Sequence, residues 1–141
     1  MAQIIFYEKP GCINNTRQKK LLREAGHTVI AKSLLTQSWS KQPQQLREFF
    51  NDKPVPEWFN RSAPDIKRGF INPKEMDEQQ AISLMLEEPL LIRRPLMQIG
   101  IKKTSGFDEY EVDQWIGLLG KKTHGNLENC PKTQQKDSSH V

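Results

Sequence analysis

Cysteine, histidine and long apolar runs are all scarce in this chain of 141 residues, and each scarcity closes off a class of protein. Two cysteines, Cys12 and Cys130, do not make a disulfide framework, and a reducing compartment would keep both as thiols. The three histidines, His27, His124 and His140, are scattered away from the cysteines, so no metal-ligand spacing exists and a structural metal site is not expected. No apolar run approaches the ~20 residues of a membrane-crossing helix. The opening MAQIIFYEK is too short for the apolar segment of a secretory signal, and a cytoplasmic protein with no membrane contact is the expectation. Aromatic residues make up only 8% of the chain, and none interrupts the basic run Arg17, Lys19, Lys20 and Arg23. Such a run reads as a solvated helix face, and nucleic acid is an unlikely partner. The net charge of +4 points the same way, because residues 121–141 alone carry half of it.

What is present is a chain long enough for one domain with a sizeable core. QIIFYE is a short continuous apolar run of the kind buried on both faces of a sheet, and Pro10 and Gly11 break it. From Ile13 to Ala25 the pattern is helical, with Ile13, Leu21, Leu22 and Ala25 apolar and Gly26 as the stop. HTVIAKSLL holds a second strand. Strand, tight loop, three-turn helix and strand form a parallel right-handed crossover.

The middle third reads as a helical insertion, about residues 38–90. SKQPQQLREFFNDK places Leu46, Phe49 and Phe50 at helical spacing, and PVPEWFNRSAP is a proline-bounded short helix or turn. Asp65 to Pro73 is expected as loop. PKEMDEQQAISLMLEEP starts acidic, which suits the positive end of a helix dipole, and carries Ala81, Ile82, Met85 and Leu86 as a stripe. Two short strands follow, around Leu96–Ile99 and Ile101–Thr104, then a helix capped by Asp108 with Tyr110, Val112, Trp115, Ile116 and Leu119 as contacts. Residues 121–141 are polar and aperiodic and are expected as a disordered tail after a domain of residues 1–120. The fold class is α/β, a mixed sheet with a hairpin at one edge.

Cys12 sits where the first strand turns into the first helix. Read from the residue alone, it is either a small core side chain or a thiolate at the mouth of a helix. Backbone N–H groups and the positive end of the dipole at a helix N-terminus favour the thiolate, and such settings bring a cysteine from about 8.5 to roughly 3.5–7.5.

Here the residues begin to look familiar. A β-α-β then β-β-α order with cysteine at the first strand–helix junction resembles a thioredoxin-like core. LMLEEPLLIRRPLMQIG (84–100) is similar to the signature of the arsenate reductase (ArsC/Spx) family of that fold, EWFNRS (57–62) resembles its second arginine segment, and GFDEYEV (106–112) its last helix start. Within the family, GCINNTRQKKLL, WFNRSAP and LENCPK look most like nitrogenase-associated proteins.

The resemblance implies a reactive Cys12, with Arg94 holding an oxyanion near the thiolate and Pro95 as a cis-proline facing it. It implies Arg61 as the second arginine of the anion site, whereas Arg93 is expected to face solvent or an acidic partner. Guanidinium forks suit a tetrahedral oxyanion such as arsenate, phosphate or sulfate. Two departures stand out. Lys102 and Lys103 occupy the hairpin where the reductases carry a third arginine, and Asn15 stands where some relatives carry a second cysteine. With no CxxC dithiol, a catalytic cycle would take glutathione or glutaredoxin as external thiol donor, or Cys130 as a resolving thiol. No bound cofactor is implied. Three readings follow: a thiol-dependent oxidoreductase, a regulatory module like the members that bind RNA polymerase, and an accessory factor contacting a nitrogenase-related protein.

Overall fold

Alternation within QIIFYE divides the first strand between two cores. In the computed structural model, which describes residues 2–118, strand β1 (Gln3–Glu8) turns Ile4 and Phe6 into one buried cluster and lays Tyr7 against the other. Helix α1 (Ile13–Glu24) crosses over to strand β2 (Thr28–Ser33), which runs parallel to β1 from Gln3↔Thr28 to Glu8↔Ser33. Strand β3 (Leu96–Ile99) lies antiparallel on the other side of β1, with Leu96 opposite Tyr7, and β4 (Lys102–Ser105) closes the hairpin. The order β2-β1-β3-β4 is the expected mixed α/β sheet. The second hairpin strand starts one residue later than expected, because the turn takes Gly100 at φ 59 together with Ile101, which stands 93% exposed.

Beyond α1, the described residues form four further α-helices, α2 (Pro43–Glu48), α3 (Pro64–Lys67), α4 (Glu78–Glu87) and α5 (Glu109–Ile116), with short 3-10 turns between them. A loop was expected from Asp65 onward, but α3 is a single helical turn there, started by Pro64 at a position that needs no N–H. Asp77 and Gln80 bond each other's backbone N–H groups and start α4 by a reciprocal cap. Asp108 caps α5 as expected, accepting the Glu111 N–H at 3.0 Å, and Val112 is buried while Tyr110 is exposed. Among the described residues, no helix is long and apolar enough to cross a membrane.

Helix α1 differs from its expected stripe in an instructive way. Its buried face runs Asn14, Asn15, Gln18, Leu21 and Leu22, and Ile13 is half exposed. At about 100° per residue, Ile13 falls one step off the line through Asn14, Gln18, Leu21, Leu22 and Ala25. The face that packs on the sheet is therefore apolar at its far end and polar at the end beside Cys12.

The two sheet edges are also unlike. β4 is an edge strand, and the carbonyls of Lys103 and Ser105 point outward from it. Asn51 Nδ2 donates to the Lys103 carbonyl at 2.9 Å and Lys53 Nζ to the Ser105 carbonyl at 2.5 Å. Asn51 reaches that position from φ 50, a left-handed conformation that asparagine tolerates.

Candidate active site at the carboxyl end of the sheet

Strand β1 ends at Glu8, and the next four residues fold back to start α1. Gly11 takes φ 83 in this turn, a conformation that side-chain-bearing residues rarely adopt. Cys12 donates its N–H to the Lys9 carbonyl at 3.1 Å and enters α1 as the N-cap, with extended backbone. Its Sγ accepts the Asn15 N–H at 3.5 Å, and its carbonyl accepts the Thr16 N–H at 3.1 Å. Sulfur therefore sits against the first turn of a twelve-residue helix that has no acidic residue in that turn. This placement favours negative charge on sulfur. In the structure Cys12 is buried and disulfide-bonded. Cys130, the chain's other cysteine, lies outside the described residues.

Asn15, the residue that takes the place of a second cysteine, braces this turn. Its Oδ1 accepts the Lys9 N–H at 3.1 Å and its Nδ2 donates to Gln18 Oε1 at 2.9 Å. Asn14 lies beside it, 0% exposed, and neither its Oδ1 nor its Nδ2 has a hydrogen-bond partner. From sequence, Asn14 and Gln18 went unmarked, and Asn15 stood out only as the residue in place of a second cysteine. The available signal was their spacing, which continues the Leu21, Leu22 and Ala25 stripe and marks three amides as buried.

Arg94 and Pro95 arrive at the same end of the sheet from the other direction. β3 is antiparallel to β1, so its beginning lies beside the end of β1, and the residues just before Leu96 meet the loop that carries Cys12. The Arg94–Pro95 peptide bond is cis, and the Pro95 carbonyl accepts the Gly106 N–H at 2.8 Å. Arg94 is only 5% exposed, and burial pulls its pKa below the ordinary arginine value because desolvation disfavours the charged form. Arg94 thus brings a buried guanidinium to the end of the sheet where α1 begins.

The remaining basic residues stand elsewhere. Arg61 is exposed and lines a cavity of about 520 Å³ with Pro56, Ile66, Ile71 and Lys74. Phe59 bridges Ile92 antiparallel, and Asn60 bonds the Leu91 and Leu90 carbonyls, so the chain runs from there toward Leu90 and away from Arg94. The structure thus brings Cys12, Arg94 and Pro95 to one end of the sheet, while Arg61 stands on the exposed wall of its cavity. Arg93 is half-buried, and it donates its N–H to the Trp58 carbonyl and its Nη1 to the Glu57 carbonyl. Lys103 is engaged by Glu48 at 2.5 Å and lies over the Phe49 ring, and Lys102 is exposed. In the basic run of α1, Lys19 pairs with Glu8 at 2.8 Å and Arg23 bonds the Val29 carbonyl.

A four-stranded mixed sheet, with a cysteine capping the first helix and a cis-proline opening the third strand, defines a thioredoxin-like protein. Residues 12–115 match the ArsC family, and the chain belongs to that family. A Rhodospirillum rubrum relative, described as an uncharacterized 15.7 kDa protein in the draG 3' region, is 49% identical over 131 residues, which cover 93% of this chain and 90% of the relative. Among solved structures, an ArsC family related protein from Bacteroides fragilis superposes with a TM-score of 0.67 at 22% identity, covering 79% of this chain and 95% of its own. An arsenate reductase from Vibrio cholerae gives 0.61 at 19% identity, covering 84% and 98%. At these identities the two superpositions show a common fold.

Proposed function

We propose that the chain is a thiol-dependent oxidoreductase of the arsenate reductase type, with Cys12 as its nucleophile and Arg94 as its anion-holding charge. The observation that carries this reading is the burial of Arg94 at the end of the sheet where Cys12 caps α1. A positive charge held at that end favours a thiolate and an oxyanion bound beside it. The Cys12 thiolate attacks the central arsenic of arsenate and releases hydroxide, leaving a sulfur–arsenic bond. A second thiolate then attacks the Cys12 sulfur, and the electron pair of that bond leaves with arsenic as arsenite. Two thiols become one disulfide while arsenic(V) becomes arsenic(III). Cys130 is our candidate for the second thiol, with glutathione or glutaredoxin either taking its place or reducing the disulfide afterwards.

The test is the pH dependence of iodoacetamide alkylation of reduced Cys12 in a Cys130→Ser background. A half-maximal rate well below about pH 8 supports the reading, and a value near roughly pH 8.5 or no reaction overturns it. Arsenate-dependent glutathione oxidation should then vanish in Cys12→Ser. In Arg94→Ala, protection of Cys12 by arsenate should weaken by about 2–5 kcal/mol.

A second reading, a regulatory or accessory protein that acts by contacts, draws on the hairpin. Lys103 is engaged by Glu48 instead of being offered to an anion. A reactive Cys12 with no arsenate-dependent turnover would favour it. We also propose a link to nitrogen fixation, which rests on sequence likeness to nitrogenase-associated proteins. Gene neighbourhood tests it, and nitrogen-fixation genes beside this one in its own genome are the expected result.

A further inference from the structure

We infer that Asn14 selects the protonated form of a tetrahedral oxyanion bound at the first turn of α1, a refinement that rests on the thiolate reading above. The starting point is a side chain with no internal account. Asn14 is 0% exposed, and both ends of its amide lack a hydrogen-bond partner. Its neighbours show that partners are within reach of this stretch, since Asn15 alone bonds Lys9 and Gln18 with its two ends. Buried polar groups are nearly always bonded, and an exception in a native fold points to a missing ligand or a functional role.

Direction narrows the choice. The Cα–Cβ bonds of a helix tilt toward its N-terminus, so from the second helical position that of Asn14 tilts toward the turn that holds Cys12. The N–H groups of Ile13 and Asn14 in that turn are beyond the reach of intrahelical bonding. An oxyanion placed there meets backbone donors, the dipole of α1 and the charge of Arg94.

The chemistry of an amide decides which oxyanion. Asparagine presents donors on Nδ2 and an acceptor on Oδ1. Sulfate offers only acceptors at neutral pH, so one of its oxygens would face Oδ1 with no proton between them. Hydrogenphosphate and hydrogenarsenate carry an O–H that Oδ1 accepts, while Nδ2 donates to a neighbouring oxygen. The site therefore prefers a protonated oxyanion to an aprotic one, and the unpaired amide is what enforces the difference. Asn14 and Cys12 are both buried.

The experiment uses the full chain, reduced, at neutral pH and constant ionic strength. Inorganic phosphate and sodium sulfate are titrated separately, reading protection of Cys12 from alkylation and the ¹⁵N side-chain amide resonance of Asn14. Phosphate should act at a concentration at least about tenfold lower than sulfate. Asn14→Leu should bring the two within about twofold, chiefly by weakening phosphate, and Asn14→Thr, which keeps a donor and an acceptor, should restore part of the preference. Equal action of the two anions on the native chain overturns the inference, as does an undiminished preference in Asn14→Leu. An Asn14 resonance that neither anion moves also overturns it, leaving a trapped water as the amide's partner. A Cys12 that is reactive at low pH beside an unresponsive Asn14 removes this inference and leaves the thiolate reading standing. An unreactive Cys12 with a responsive Asn14 does the reverse.

Discussion

The two ends of the buried face of α1 follow opposite rules. Toward its C-terminus, Leu21 and Leu22 pack with Ile4, Phe6 and Met97 in an apolar cluster. Toward Cys12 the same face carries Asn14, Asn15 and Gln18, all 0% exposed. One helix, lying on one sheet, thus passes from a region organised by removing hydrocarbon from water to a region organised by amide geometry. Burying amides stabilises little even when they are bonded, and an unbonded one costs about 1–3 kcal/mol. The polar end is tolerated because the apolar end and the aromatic cluster on the other face of the sheet hold the fold. That second cluster includes Trp39, Phe49, Trp58 and Phe59, with Phe50 stacked on Trp58 at 4.9 Å.

The strongest way to break the comparison is Leu22→Ala. Leu22 is 0% exposed, and its truncation should cost about 2–5 kcal/mol of stability. Urea unfolding reads the loss, and the pH midpoint of Cys12 alkylation should stay where it is. A shifted midpoint would show that the two ends are coupled. Asn14→Leu should move the other way, holding or raising stability by about 1 kcal/mol, because it deletes a buried amide with no partner. A clear loss of stability in that variant would mean that the amide is bonded within the fold.

The smallest effect is expected at Tyr7, on the opposite face. Burial raises its pKa above the ordinary tyrosine value, and the charge of Lys103 opposes this in part. The folded protein therefore holds the phenol proton more tightly than the unfolded chain does. The stabilisation is complete below about pH 10 and falls as pH rises through the folded value. Tyr7→Phe should slightly flatten the decline of the urea midpoint above about pH 10, and an unchanged slope would remove Tyr7 as its source.

Much of this architecture was legible in sequence because it rests on periodicity and punctuation. The β-α-β crossover, the Gly26 stop, the hairpin and the Asp108 cap each have a local cause, and the ArsC signature around Arg94 and Pro95 marked one corner of the site. Other features have no local cause. Ile13 looked like core because apolar residues usually are, yet the helix phase set by Leu21 and Leu22 turns it outward. Buried asparagines look like surface residues until that phase is known. The course of the chain just before Arg61 is set by the antiparallel bridge between Phe59 and Ile92, a long-range pairing that no local signal announces. The role of Arg93 likewise depends on where the Glu57 carbonyl falls.

The clasp on β4 has a consequence for how this protein meets others. Asn51 and Lys53 occupy the two outward carbonyls of that strand, so an incoming extended chain finds its acceptors already taken. The opposite border of the sheet, β2, is held at the Val29 carbonyl by Arg23. Its Thr28, Ile30, Ala31 and Lys32 are exposed. Recognition by backbone pairing is thereby steered to one border of the sheet, and stacking of copies through β4 into a continuous ribbon is blocked.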